Sequence, residues 1–156
     1  MIRLGQNADI ERINIIRKEV HGIHAEGESG IFKPEFSREL SDYIHEYIDS
    51  DHKWVYVYEE DGTILGYMMV DMVLKVESPM RYEGRYLEVC ELGVAGDNKS
   101  KGIGTKLVDK VKELAIEQGV DSVELNMWEF NDRALKFYEK CGFETYRRHM
   151  RVKVGK

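Results

Sequence analysis

A mixed α/β sheet with helices on both faces is the fold that this sequence predicts. Apolar, β-branched segments alternate with amphipathic helical segments, and a strand–helix–strand unit in the second half requires a parallel strand pair with a right-handed crossover. A tight hairpin signal near the middle of the chain predicts antiparallel pairing as well. The 156 residues suffice for one complete core, so we predict one domain over residues 1–156.

The first fifty residues predict a short strand followed by two helices. Residues 2–4 have the character of a strand, and Asn7 is expected to cap the first helix. Apolar residues then recur at helical spacing until Gly27 ends the pattern. A second apolar stripe at helical spacing begins after Pro34.

Three strands are predicted in the middle of the chain. Residues 54–58 are aromatic and β-branched, as strands prefer, and Asp61-Gly62 joins them to a long strand over residues 64–76. A loop over residues 77–84, which contains a proline, leads to the next strand at residues 85–94.

The last third predicts two helices and two strands. One helix has a clear apolar face from Ile103 and stops at Gly119, and a strand follows over residues 123–127. Asn131 is expected to cap the last helix, and residues 143–154 alternate charged with apolar residues as a final strand would.

Composition and charge narrow the class of function. A formal net charge of −6 argues against a nucleic-acid binder, which needs a basic face, and suits a cationic substrate such as an amine. No apolar run approaches the roughly 20 residues of a membrane span and no signal sequence is recognisable, so the expected location is cytoplasmic. Cys90 and Cys141 do not make a disulfide framework, and we expect both to be reduced and structural.

The segment from Val94 to Leu107 carries the clearest functional signal. A β-rich stretch ends in a polar turn with two lysines and two closely spaced glycines, and an amphipathic helix follows. A helix that begins on glycines offers unpaired N–H groups and the positive end of its dipole, and both features bind phosphate. Ile103 stands where a Walker A loop needs lysine, and Leu107 stands where a dinucleotide fingerprint needs a third glycine.

This turn resembles the acyl-CoA-binding signature of the GNAT superfamily of N-acetyltransferases. The signature Gln/Arg-x-x-Gly-x-Gly/Ala stands here as Lys99-Ser100-Lys101-Gly102-Ile103-Gly104, with lysine at the first position. Lysine keeps a positive charge near phosphate but lacks the planar donor fork of arginine. Independently, residues 131–143 are similar to the family segment Asn-x-x-Ala-x-x-Phe-Tyr-x-x-x-Gly-Phe.

The resemblance implies an enzyme that transfers an acetyl group from acetyl-CoA to a primary amine by direct attack. The acceptor is a small molecule, a peptide N-terminus or a lysine. The implied fold is a mostly antiparallel twisted sheet with one splayed parallel strand pair. No metal, nucleic acid or membrane is expected to take part, and a homodimer is common in the family. A non-catalytic acyl-CoA-binding sensor or interaction module is the alternative, because it also explains the phosphate-binding turn.

By the same resemblance, acetyl-CoA is held by the turn, by the strand before it and by one face of the last helix. The expected cofactor-binding residues are Leu92, Gly93, Val94, Lys99, Ser100, Lys101, Gly102, Ile103, Gly104, Thr105, Asn131, Ala134 and Phe137. Gly93 suits a close backbone approach, and Asn131 is expected to hydrogen-bond the pantetheine arm. Tyr138 is expected to protonate the leaving thiolate, since a tyrosine hydroxyl with a pKa of about 10 is a suitable acid.

Two carboxylates on the strand at residues 85–94, Glu88 and Glu91, are candidates for the general base that removes the amine proton. Glu88 matches the catalytic glutamate of the histone-type family members, whereas Glu91 is nearer to the expected acetyl position. The two positions have opposite parity, so in a regular strand only one can face the substrate, and a bulge would change that. A water relay that needs neither carboxylate also occurs in the family.

Acceptor contacts are expected from the region after the first helix and from the loop before residue 87. Phe32, Tyr43 and Tyr82 are the predicted contact residues. His21 and His24 make a metal site conceivable, but histidines on a helix more often face solvent or substrate, and we predict no metal.

Overall fold

The computed structural model describes residues 1–155, and the chain separates into two compact units, Met1–Asn126 and Met127 onward. Within the described residues, one sheet contains five strands in chain order: β1 (Ile2–Leu4), β2 (Lys53–Glu60), β3 (Thr63–Lys75), β4 (Gly84–Val94) and β5 (Val123–Leu125). Neighbouring strands pair antiparallel except β4 and β5, which are parallel. The predicted mixed, mostly antiparallel sheet is confirmed.

The first unit also contains three α-helices, and the second unit contains one. They are α1 (Ile10–Gly27), α2 (Arg38–Asp42), α3 (Ile103–Glu117) and α4 (Asp132–Lys140). The predicted cap at Asn7 is wrong, because Asn7 opens a short 3-10 turn before α1. Asp9 closes that turn: its carboxylate accepts from the Gln6 N–H at 2.8 Å and pairs with Arg3 at 2.7 Å.

Helices cover both faces of the sheet, because successive residues of a strand point to opposite sides. On the face that we call the α1 face, the buried cluster comprises Ile13, Ile16, Ile44, Tyr47, Val55, Val57, Ile64, Tyr67, Met69 and Ala95. On the opposite face, the α3 face, it comprises Tyr56, Tyr58, Met68, Val70, Leu87, Val89, Ile103, Leu107, Val111, Leu114 and Ala115. The amphipathic stripes of α1 and α3 are thereby buried on opposite sides of β2 and β3.

The parallel pair is much shorter than its neighbours. Only residues 87–89 of β4 pair with β5, although β4 continues to Val94. The five residues of β4 after Val89 therefore lie beyond the paired stretch, as the predicted splaying requires.

The final strand predicted over residues 143–154 is wrong. Within the chain up to residue 155, no strand follows α4. Alternating polarity indicates a strand only where a neighbouring strand accepts the ladder hydrogen bonds. The apolar residues of this segment instead stay exposed: Tyr146, Met150, Val152 and Val154.

The hairpin between β2 and β3 is tight, as predicted, because Asp61 and Gly62 both have positive φ angles, of 49° and 73°. Among the described residues, no helix is both long and apolar enough to cross a bilayer.

Candidate active site

The turn before α3 has the geometry of an anion site. Gly102 immediately precedes the helix with a φ angle of 78°, which favours glycine, and Ser100 has a φ angle of 73°. The first hydrogen bond of the helix runs from the Lys106 N–H to the Gly102 carbonyl at 3.1 Å. The N–H groups of residues 103–105 precede it, and they are the helix donors that a phosphate can take.

The polar residues of the turn form hydrogen bonds within the turn rather than with the sheet. The Lys101 ammonium donates to the Asn98 side-chain carbonyl at 2.9 Å, and the Asn98 N–H donates to the Ala95 carbonyl at 2.8 Å. Lys99 is half-buried and Lys101 is exposed. The turn thus presents two positive charges next to the helix N-terminus.

Gly66 on β3 lets α3 pack closely against the sheet, a role that the sequence alone does not reveal. A methyl group at Gly66 would lie 2.8 Å from Ile103 Cγ2 and 3.4 Å from Leu107 Cδ1, so only glycine lets the first turn of α3 rest directly on the sheet. A lone glycine within an apolar strand was the available signal.

The open edge of β4 follows from its pairing with β3. The Ala95 N–H donates to the Leu65 carbonyl at 2.9 Å, which makes Ala95 and Leu65 a hydrogen-bonded pair. Antiparallel ladders alternate, so Gly93 is also directed toward β3, at Tyr67. The N–H and C=O groups of Leu92 and Val94 consequently point away from β3, along the stretch that β5 does not pair.

Gly93 has a packing role that differs from the expected cofactor approach. A methyl group there would lie 2.6 Å from Tyr67 Cε1, 2.9 Å from Val20 Cγ2 and 3.2 Å from Ile16 Cγ2. The close approaches at Gly93 are therefore made by the Tyr67 ring of β3 and by α1.

A β-bulge at Cys90 decides the parity question. Met69 pairs with Glu91 and Val70 pairs with Val89, so Cys90 is the extra residue in β4. The bulge shifts the alternation by one, which places Glu88 and Glu91 on the same face of the sheet, the α1 face. The expectation that only one of the two can face the substrate applies to a regular strand, and β4 has the bulge that changes it.

The carboxylate of Glu91 is held by two buried side chains. Arg17 on α1 donates from Nε to Glu91 Oε2 at 2.9 Å and from Nη2 to Oε1 at 3.0 Å. The Tyr67 hydroxyl donates to Oε2 at 2.9 Å. Burial lowers the pKa of Arg17, but the hydrogen bonds and charge of Glu91 outweigh burial, and the net pKa is raised.

Glu88 is in a more open setting. Its Oε1 accepts from the Asn126 amide at 2.7 Å. It lies directly across from Asp71 on β3 and from Glu124 on β5. Both flanking carboxylates are near lysine ammonium groups, Asp71 near Lys53 at 3.9 Å and Glu124 near Lys75 at 3.2 Å.

Cys90 and Tyr47 stay protonated at neutral pH. Burial raises the pKa of the Tyr47 hydroxyl, and desolvation also raises the pKa of the Cys90 thiol, although Cys90 as a whole residue is exposed. Asp71 lies near both groups and raises both pKa values further. Cys90 is therefore a poor nucleophile, since the thiolate is the reactive form.

The second unit carries the other half of the predicted site on α4. The Asn131 side-chain carbonyl accepts from the Ala134 N–H at 3.1 Å and caps the helix, as predicted. Tyr138 packs against Phe137 and Phe143, with ring centroids 5.0 and 5.5 Å away. Burial, followed by the neighbouring Cys141, raises the pKa of Tyr138 to about 12, so its hydroxyl keeps its proton at neutral pH.

The three predicted acceptor residues each have different neighbours in the structure. Phe32 stacks on His24 at 5.3 Å between ring centroids, close to the end of α1. Tyr43 packs against Tyr47, and the Lys53 ammonium lies 5.7 Å from the Tyr43 ring. Tyr82 is 92% exposed in the loop between β3 and β4.

Metal ligands do not converge in the part of the chain that the structure describes: no group of three or more His, Cys, Asp or Glu residues has a suitable arrangement. His21 instead makes a 2.7 Å hydrogen bond between its Nε2 and the Lys33 carbonyl.

Comparison with known proteins decides the family. Residues 18–143, most of the chain, match the model of the family described as "Acetyltransferase (GNAT) family". The chain belongs to the GNAT acetyltransferase family. The match includes the turn before α3 and all of α4, the two regions that carry the resemblance.

Curated relatives are identical to this chain at about three residues in ten of the aligned stretch. Streptothricin acetyltransferase A of Bacillus subtilis is 29% identical over 117 residues, which cover 74% of this chain and 67% of that protein. A probable N-acetyltransferase camello of Xenopus laevis is 29% identical over 106 residues, 68% of this chain but only 45% of the relative. The chain thus spans less than half of the camello protein.

Solved structures share the fold of this chain. A mutant of the BH1408 protein from Bacillus halodurans superposes with a TM-score of 0.94 at 21% identity, over 99% of each chain. Aminoglycoside N-acetyltransferase AAC(6')-Iy in complex with CoA superposes with a TM-score of 0.78 at 15% identity, over 99% of this chain and 93% of that one.

Proposed function

We propose that this protein is an acetyl-CoA-dependent N-acetyltransferase acting on a primary amine. One observation carries the proposal: the free N–H groups at the start of α3 directly follow a strand whose open edge exposes the backbone of Leu92 and Val94. The first group fits the pyrophosphate of coenzyme A, and the second fits the amide-containing pantetheine arm. The family match supports the same donor.

Different residues of the chain carry out the separate steps of the acetyl transfer. The amine nitrogen attacks the thioester carbonyl carbon, a C–N bond forms and the C–S bond breaks. A carboxylate on the α1 face takes the amine proton, directly or through water. Tyr138 donates a hydrogen bond or a proton to the leaving sulfur, and an N–H on the open edge of β4 polarises the carbonyl oxygen.

A cationic acceptor fits the charge of the α1 face. Asp71, Glu88 and Glu91 share this face, and the chain has a formal net charge of −6. Relatives and fold neighbours include a streptothricin acetyltransferase and an aminoglycoside acetyltransferase in complex with sisomicin. We propose an acceptor with at least one ammonium group besides the amine that reacts.

An amine panel tests the proposal. Purified protein is mixed with acetyl-CoA and with polyamines, aminoglycosides, amino acids or short peptides, and free coenzyme A is measured over time. We expect turnover with one cationic class. Tight coenzyme A binding without turnover on any amine would favour the sensor interpretation, and absence of coenzyme A binding would refute both.

We also propose that the protein forms a homodimer through residues 143–155. This segment carries four arginine and lysine residues against one glutamate, while the chain as a whole is acidic. Its exposed Met150, Val152 and Val154 give a second copy an apolar contact. Light scattering should give twice the chain mass, and Met150→Glu with Val152→Glu should give the monomer mass; a monomeric wild type would contradict this.

Cytoplasmic location stays a prediction.

A further inference from the structure

Arg17 is the most deeply buried charged side chain of the α1 face. The residue is 2% exposed, and its guanidinium lies 5.4 Å from the Phe36 ring. Burying a guanidinium costs free energy unless its charge is paired and its N–H groups are satisfied. A leucine at this buried position of the helix would avoid that cost in free energy. The presence of arginine therefore needs an explanation.

Four hydrogen bonds fix this guanidinium. Besides its two bonds to Glu91, Nη1 donates to the Asn14 side-chain carbonyl at 2.9 Å and to the Leu40 backbone carbonyl at 2.7 Å. Asn14 is itself held, since its amide donates to the Ser41 carbonyl at 3.0 Å. Residues of α1 and α2 thus hold the Arg17 guanidinium in place, in addition to its contact with Glu91 on β4.

The result is a carboxylate with a set orientation. Both oxygens of Glu91 accept from the Arg17 fork, and Oε2 accepts from Tyr67 as well. Removal of the Glu91 carboxylate would leave the arginine charge buried without its partner. The Glu91 side chain nevertheless remains 28% exposed, so a ligand can still reach it.

We propose that Arg17 is a positioning residue that fixes the Glu91 carboxylate as the binding group for the ammonium of the acceptor, which leaves proton removal to Glu88 or a water molecule. The proposal rests on the proposed function. Glu88 suits the other role because its carboxylate accepts from the neutral Asn126 amide and not from a buried guanidinium.

Steady-state kinetics with the best amine of the panel separate the two roles. Glu91→Gln should raise the amine KM about tenfold or more and change kcat less than about threefold, because a charge-assisted contact is lost before the chemistry. Glu88→Gln should lower kcat with a smaller effect on KM. The reverse pattern, with kcat lost in Glu91→Gln at unchanged KM, would overturn the proposal.

Arg17→Gln should reproduce the rise in KM, and Arg17→Lys should lie between it and the wild type, because lysine keeps the charge but not the fork. Combining Arg17→Gln with Glu91→Gln should raise KM no further than either change alone, since both remove one interaction. Additive effects on KM would refute the positioning role. Tyr67→Phe, which removes one donor from Glu91, gives a second test if Arg17→Gln does not fold.

Arg12→Gln is the matched control on the same helix. Arg12 donates to the Ile64 carbonyl at 3.0 Å and is remote from Glu91 in the hydrogen-bond network, so its loss should leave the amine KM unchanged. A comparable rise in KM in this variant would show that any damage to α1 has the effect, and would also overturn the proposal. Failure of the wild type to bind coenzyme A would instead refute the proposed function.

Discussion

Tyr138 is the residue that we propose as the proton donor to the leaving sulfur. Its ring packs against the rings of Phe137 and Phe143, and burial raises the pKa of its hydroxyl to about 12. A hydroxyl that keeps its proton at the pH of the reaction can stabilise a thiolate by hydrogen bonding. It can do so even where complete proton transfer is unfavourable in free energy.

Replacing Tyr138 with phenylalanine tests that role. We expect kcat to fall by about 10- to 100-fold, because general-acid assistance is worth at least that much, while the affinity for coenzyme A changes little. Kinetics and calorimetric titration measure the two quantities. Tyr146→Phe is the control, since that ring is 69% exposed in the last segment; equal turnover in the Tyr138 variant would exclude the hydroxyl from the chemistry.

The pH profile gives an independent test of the same residue. Because the pKa of Tyr138 is raised to about 12, the acid form persists as the pH rises through 10, and Tyr138 should cause no alkaline loss of kcat below that pH. Profiles of the wild type and of Tyr138→Phe should therefore have the same shape between pH 7 and pH 10. A decline near pH 10 that only the wild type shows would contradict the raised pKa.

At the scale of elements, two close contacts fix the helices on the sheet: α3 at Gly66 and α1 at Gly93. The sequence predicts nearly all of these elements and the phosphate turn, since apolar periodicity and turn residues are local signals. It does not predict the bulge at Cys90 or the arginine under Glu91, because both depend on which residues of distant segments meet. It predicts one strand too many, because a strand also needs a partner that alternation does not reveal.

Gly93→Ala tests the contact with α1. The added methyl group would lie 2.6 Å from the Tyr67 ring and 2.9 Å from Val20, and we expect destabilisation of about 1–3 kcal/mol in urea unfolding. Gly22→Ala in α1 is the matched control: nothing lies within 4 Å, so it should stabilise the protein by up to about 1 kcal/mol. Equal free energies of unfolding for the two variants would show that α1 does not pack closely against β4 at Gly93.

Gly104→Glu tests the turn before α3. The substitution places bulk and negative charge among the N–H groups of residues 103–105, so we expect coenzyme A affinity to fall below detection in a calorimetric titration. Gly84→Glu, at the exposed start of β4, introduces the same charge away from the turn and should bind coenzyme A normally. Retained affinity in the Gly104 variant would place the phosphates elsewhere.

At the scale of the whole molecule, coenzyme A should stabilise the fold by linkage. A ligand at 100 times its Kd contributes about 2.7 kcal/mol, which corresponds to a rise in Tm of about 5–10 °C for a chain of this size. Differential scanning fluorimetry measures the shift, and the Gly104→Glu variant should show none. An unchanged wild-type Tm at millimolar coenzyme A would mean that the folded protein does not bind it.

The central claim is that the N–H groups at the start of α3 bind the diphosphate of coenzyme A, and a crystal structure of the complex tests it most directly. The account predicts phosphate oxygens within hydrogen-bonding distance of the N–H groups of residues 103–105, and the pantetheine arm along Leu92 and Val94. Coenzyme A bound at another place, with this turn free of phosphate or closed by side chains, would contradict it.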